Sequence, residues 1–156
     1  MSENKPLVII ISGSKSDSEF VEASEEYLGF FQIPYESKVI SAHRNPELLA
    51  DYVSRARNNG VKCIIAQAGM AAHLAGVVAA HTSIPVIGVP LPGSHLNGVD
   101  SLYSTVQMPT GIPVATMAIG KAGARNAAVF SAEMLSVEDD SMLKRLEEFR
   151  AKGAKL

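Results

Sequence analysis

Short β-branched runs recur along the chain at 7–12, 35–41, 61–66, 86–90 and 114–119. Between them lie longer segments with helical spacing or helix-forming composition at 17–31, 46–59, 71–82, 99–107 and 122–135. A last segment, 139–151, sets Met142, Leu143, Leu146 and Phe149 on one stripe. This alternation predicts β-α-β-α winding and a parallel sheet covered on both faces, because crossover helices pack onto the sheet they connect. The expected architecture is a three-layer αβα sandwich, flavodoxin-like and doubly wound, with strand order 2-1-3-4-5. Five strands and about six helices exhaust residues 1–156, so one domain is expected, with 136–156 as a C-terminal helix on the core or a neighbouring subunit. In such sheets ligands sit beyond the carboxyl ends of the strands, near the point where the winding reverses. The loops after the first three strands are therefore where chemistry belongs.

After the first strand comes Gly13-Ser14-Lys15-Ser16-Asp17-Ser18-Glu19. A glycine lets backbone approach a ligand, and hydroxyls face an opening helix whose free N–H groups favour anions, so a phosphate or ribose fits here. Ser16 and Glu19 also form the pattern of a capping box, which needs no ligand. After the second strand comes Ser41-Ala42-His43-Arg44-Asn45-Pro46. Asn45 is a natural N-cap and Pro46 a natural first helical residue, which leaves Ser41, His43 and Arg44 surplus to the helix start. Arg44 offers a planar fork of donors for phosphate, and His43 can give and take a proton near neutral pH. After the third strand, Gln67-Ala68-Gly69-Met70-Ala71-Ala72-His73-Leu74 is so rich in small residues that backbone must wall whatever binds there. The same small residues, continued by Ala75, Gly76, Ala79 and Ala80, equally suit close helix packing. The stretch 97–113, punctuated by Gly and Pro at both ends of a short helix, reads as a lid or a rigid connection.

Composition narrows the classes. Hydrophobic residues make up 47% and charged residues 19%, with net charge -2, which predicts a globular protein rather than a membrane or disordered one. The 14 basic residues are scattered among 16 acidic ones, so no nucleic-acid surface is expected. Cys63, the single cysteine, lies in an apolar run as a small buried hydrophobe, which points to a reducing compartment. The apolar run from Leu7 to Ile11 is too short for a signal-peptide core, and a cytoplasmic protein is expected. His73 and His81 stand eight residues apart without a completing ligand set, so no metal is expected. A flavin carrier is disfavoured by the absence of Trp and only 6% aromatics. A phospho-receiver domain lacks its acid cluster, since those positions read Ser12-Gly13-Ser14 and Ala66-Gln67-Ala68.

The three loops, together with Asp100-Ser101-Leu102-Tyr103-Ser104, Gln107-Met108-Pro109, Ala118-Ile119-Gly120 and Asn126-Ala127-Ala128, closely resemble the class I 5-(carboxyamino)imidazole ribonucleotide mutases. The match runs in order over residues 7–135. Class II relatives carboxylate aminoimidazole ribonucleotide directly, and carry Lys after the motif histidine and a Ser-Asn-containing third loop. Arg44 and Ala71-Ala72-His73-Leu74 side with class I. The resemblance implies that Ser14, Asp17 and Arg44 hold the ribose phosphate, with Ser16 and Ser41 assisting. It implies that His43 moves the proton, and that Ala68, Gly69, Met70, Ala71, His73 and Leu74 enclose the imidazole and carboxylate. Gln67 and Met70 depart from the pattern, standing where many members have glycine. The activity implied is carboxyl transfer within one ribonucleotide in de novo purine synthesis, through trapped carbon dioxide, without ATP, biotin or metal. A homo-octamer and coupling to the ATP-dependent synthetase that makes the substrate are implied as well.

Overall fold

The computed structural model describes residues 5–156. Three strands, β1 (Val8–Ser12), β3 (Cys63–Gly69) and β4 (Val86–Leu91), form the middle of the sheet. Their side chains are buried on both faces but for the half-buried Ala68 and Gly69, which is why they read as continuous apolar runs. β2 (Tyr35–Val39) and β5 (Ala115–Thr116) are the edges, and their residues are exposed or half-buried. All five strands pair in parallel in the order β2-β1-β3-β4-β5, as expected.

α1 (Ser18–Phe30), α5 (Lys121–Ser136) and α6 (Asp140–Ala151) pack together, while α2 (Pro46–Ala56), α3 (Leu74–Ala80) and α4 (Val99–Val106) form the other layer. Right-handed crossovers require this division, because only the β1 to β2 step runs leftward across the sheet. α6 is capped by Asp139, whose carboxylate accepts the N–H groups of Ser141 and Met142. Its buried residues are Met142, Leu146 and Phe149, while Leu143 faces outward. Phe149 seats α6 against Tyr27, Phe30 and Phe31, with ring centroids 5.3–5.8 Å away. Among the described residues, no helix is long and apolar enough to cross a membrane.

β5 is shorter than the run at 114–119 suggests, and the cause is Pro90. On the side facing β5, Pro90 accepts the Gly120 N–H at 2.9 Å but has no N–H to give, so the ladder ends there. The chain turns tightly into α5. A Cβ on Gly123 would lie 1.7 Å from the Ala118 carbonyl oxygen, so only glycine lets the helix start this close to the preceding loop. Under α1 and α5 runs a buried polar seam. Gln67 Nε2 donates to Ser24 Oγ at 2.7 Å, and Ser24 Oγ donates to the Ala124 carbonyl at 2.8 Å. Cys63 Sγ lies 3.3 Å from Ser131 Oγ, and burial pushes its thiol up to about 11.

Candidate active site

The three loops expected to carry chemistry meet at the carboxyl ends of β1, β2 and β3. Gly13 N–H donates to the Gln67 carbonyl at 3.2 Å, which ties the first loop to β3. Ser14 caps a short 3-10 turn, Lys15–Asp17. Its hydroxyl accepts the Ser16 N–H at 3.3 Å and lies 2.9 Å from the Ser16 hydroxyl, while Asp17 Oδ2 accepts the Ser14 N–H at 3.0 Å. A capping box is therefore present, but on Ser14 and Asp17 rather than on Ser16 and Glu19. The 3-10 turn precedes α1 and moves the cap two residues earlier, leaving Glu19 to pair with Lys121 at 2.8 Å. Partial burial raises the Asp17 carboxyl above its ordinary value, and the hydrogen bonds from Ser14 and Ser16 draw it back in part.

In the second loop, the Ser41 carbonyl accepts the Asn45 N–H at 2.9 Å and the Ser41 hydroxyl accepts the Arg44 N–H at 3.2 Å. Asn45 stands at the N-cap and Pro46 opens α2, yet the Asn45 side chain makes no capping bond. Ser41 is thus not surplus to the local structure. It closes a turn whose tip presents His43 and Arg44, both exposed. Arg44 enters no ion pair among the described residues, so its guanidinium is available to an anion.

The third segment is strand as far as Gly69, so Gln67, Ala68 and Gly69 belong to β3 and not to a loop. Met70 then takes a left-handed backbone, φ 56°, which costs a non-glycine residue roughly 1 kcal/mol, and leaves its side chain 64% exposed. Ala71 is exposed beside it, whereas Ala72 and Leu74 are buried, Leu74 as an anchor of α3 in the core. α3 begins at Leu74 rather than at residue 71, since the first helical bond is Val77 N–H to the His73 carbonyl at 3.0 Å. His73 itself sits at the N-cap. Its Nδ1 lies 2.7 Å from His43 Nε2, with the two rings 4.9 Å apart and at 89°.

Sequence reasoning had named both histidines but not their contact, which joins residues thirty positions apart. It also missed a cleft of about 200 Å³ between α1 and β2, lined by Ser12, Ser14, Lys15, Glu25, Ser37 and Lys38. The cleft adjoins Ser14 and adds two lysines to the surroundings of the first loop. No spacing in the sequence pairs Lys15 with Lys38, because they meet only through the register of β1 and β2.

A family model described as AIR carboxylase matches residues 7–155. The chain belongs to this family. Within the family it is similar to the N5-carboxyaminoimidazole ribonucleotide mutase of Bacillus subtilis, 52% identical over 146 residues, covering 94% of this chain and 90% of that one. The mutase of the same name from Pseudomonas aeruginosa is 53% identical over 145 residues, covering 93% and 89%. That from Aquifex aeolicus is 52% identical over 143 residues, covering 92% and 84%. Among solved structures, the crystal structure of Treponema denticola PurE superposes with a TM-score of 0.86 at 29% identity, over 96% of this chain and 92% of that one. The fold and its doubly wound order are thus those of the family, and the chain is an enzyme.

Proposed function

We propose that this enzyme converts 5-carboxyamino-1-(5-phospho-D-ribosyl)imidazole, the N5-carboxyaminoimidazole ribonucleotide of its relatives' names, into 5-amino-1-(5-phospho-D-ribosyl)imidazole-4-carboxylate. The step belongs to de novo purine synthesis. What supports the reading most is the convergence of His43 and His73, 2.7 Å apart, beside a loop of small residues and a loop of hydroxyls and a carboxylate. A proton shuttle, a carboxylate pocket and a sugar-phosphate cradle are the three things this reaction needs.

In this reading Arg44, exposed and unpaired among the described residues, takes the phosphate as a forked donor. Ser14, Ser16 and Asp17 take the ribose, Asp17 accepting from a hydroxyl because a carboxylate repels phosphate. Ser41 holds the turn that aims Arg44. Ala68, Gly69, Met70 and Ala71 wall the imidazole and its carboxylate. The carboxylate leaves the exocyclic nitrogen as carbon dioxide, and the enamine-like ring carbon captures it before escape. His43 protonates the departing nitrogen and takes back the ring proton, so it is regenerated each cycle. No ATP, biotin or metal takes part.

Closure against water is the remaining need, since free carbon dioxide must not leave. α4 exposes Val99, Tyr103 and Val106 on one face, and Leu96 and Ile112 are exposed in the segments that flank it in the chain. Such a face suits burial against further copies in the homo-octamer, and the enzyme works in the cytoplasm next to the synthetase that supplies its labile substrate.

The test follows conversion of the carboxyamino ribonucleotide by the wild type and His43→Asn, without ATP or added bicarbonate and against the uncatalysed rate. Rapid wild-type turnover that falls by roughly 10²- to 10⁴-fold in a folded, substrate-binding variant is expected for loss of an acid–base group. No wild-type turnover, or turnover only of aminoimidazole ribonucleotide with bicarbonate, would overturn the mutase assignment.

A further inference from the structure

Met70 holds a backbone conformation that its residue type disfavours and that the fold does not ask of a methionine. β3 ends flush against β4, where Gly69 stands beside Leu91 and a Cβ on Gly69 would lie 3.3 Å from the Leu91 carbonyl oxygen. Ala72 and Leu74, just beyond, are already buried, each 2% exposed. The chain therefore has only Met70 and Ala71 in which to turn from the sheet toward α3, and it does so through the left-handed Met70, φ 56°. Glycine adopts that region freely, whereas a side chain there is strained. Among the described residues, the other non-glycines with positive φ are Gln32, Ala154 and Asn97. Gln32 and Ala154 follow the C-terminal ends of α1 and α6, where a left-handed residue closes the helix, and asparagine tolerates the region. Met70 stands instead at the carboxyl end of a central strand, 64% exposed and outside the core cluster. Packing within the chain does not offset its strain, and backbone of this kind gathers at functional sites.

We propose that Met70 covers the trapped carbon dioxide: its apolar side chain closes over the pocket walled by Ala68, Gly69 and Ala71 and keeps water out until the ring carbon captures the gas. The proposal rests on the mutase reading above. Between the two halves of the reaction the carbon–nitrogen bond has broken, its electron pair has stayed on the nitrogen, and that nitrogen has gained a proton. The pocket then holds aminoimidazole ribonucleotide and carbon dioxide, and two outcomes compete. The enamine-like ring carbon attacks carbon dioxide, forming the new carbon–carbon bond and giving up its ring proton to the base, or the gas escapes and aminoimidazole ribonucleotide is left behind. Carbon dioxide has no net charge and no hydrogen-bond donor, so polar walls hold it weakly, and a cover that excludes water is what slows its escape. Methionine suits the task because its unbranched, flexible side chain can open for substrate and close over it.

The experiment uses substrate whose carboxyamino carbon is ¹³C, in buffer with unlabelled bicarbonate and carbonic anhydrase to exchange any gas that escapes. Label in the product carboxylate and free aminoimidazole ribonucleotide are measured at early conversion, against the uncatalysed background, for the wild type, Met70→Gly and Met70→Leu. The wild type is expected to retain most of its label. In Met70→Gly the ratio of escape to capture is expected to rise by roughly fivefold to tenfold, a change of about 1–1.4 kcal/mol between the two barriers. Met70→Leu, which keeps an apolar side chain of similar volume, is expected to stay within about twofold of the wild type. Met70→Gly should still fold, since relief of the left-handed strain offsets the freedom that glycine adds to the unfolded chain, and its Tm is expected no more than about 3 °C below the wild type. Equal label retention in Met70→Gly and the wild type, a rise in KM alone, or leakage in Met70→Leu as large as in Met70→Gly overturns the proposal. So does a smaller assembly of Met70→Gly by light scattering, which would make Met70 a subunit contact. A wild type that yields no ring-carboxylated product overturns the mutase reading, and this proposal with it.

Discussion

Replacing Gln67 with Met should make this protein more stable, although Gln67 is fully buried and hydrogen-bonded. Gln67 is 0% exposed, and only its Nε2 finds a partner, Ser24 Oγ at 2.7 Å. Its Oε1 is buried with no hydrogen-bond partner among the described residues. Substitution gives up one hydrogen bond worth about 0.5–1.5 kcal/mol and removes a buried, unpaired carbonyl that costs about 1–3 kcal/mol. Ser24 is not orphaned, since its hydroxyl still donates to the Ala124 carbonyl at 2.8 Å. Methionine has nearly the volume of glutamine and adapts its rotamers, so the repacking cost is small. The balance is a gain of about 1 kcal/mol, which raises Tm by roughly 2–4 °C in a chain of this length. Urea unfolding and a thermal melt measure it, with Gln67→Ala alongside, where the cavity left by truncation makes the net change destabilising. A loss of more than about 1 kcal/mol in Gln67→Met would refute the reasoning and mean that Oε1 is satisfied in solution.

Two further predictions rest on packing. Gly123→Ala would put a methyl 1.7 Å from the Ala118 oxygen, so the turn into α5 must open; a loss beyond about 3 kcal/mol, or insoluble protein, is expected on expression and urea unfolding. Near-wild-type stability would show that the turn is soft. The Cys63 thiol, buried and held at about 11, should resist thiol reagents until the protein unfolds. Because its native value lies above that of the unfolded chain, its contribution is complete below about pH 9 and is lost as pH rises toward 11, a fall of roughly 2–3 kcal/mol. Cys63→Ala should flatten that part of the stability profile, which denaturant titrations from pH 8 to 11 would read.

Much of the fold was legible along the chain because its signals are local. The runs beginning at Val8, Cys63 and Val86 had to be interior strands, since no residue in them offers a polar face to water. Met142, Leu146 and Phe149 at helical spacing marked a last helix with one apolar stripe. Pro46 after Asn45 marked the start of another, and the loops with surplus polar groups fell at the carboxyl ends of strands as winding alone dictates. What the linear order could not contain is how residues far apart meet. Leu143 belongs to the predicted stripe but points outward, because α1 and α5 touch only one side of α6. The early end of β5 depends on which edge of β4 the Pro90 nitrogen faces. Gln67 occupies the face under α1, where Ser24 is its partner. The pairing of His43 with His73 arises because β1 lies between β2 and β3 in fixed register, bringing two loop tips thirty residues apart within one hydrogen bond. Sequence therefore specified the parts and the end of the sheet where the candidate loops converge, while the hydrogen-bonded register of the strands decided which side chains touch, since register is a long-range agreement that no local window encodes.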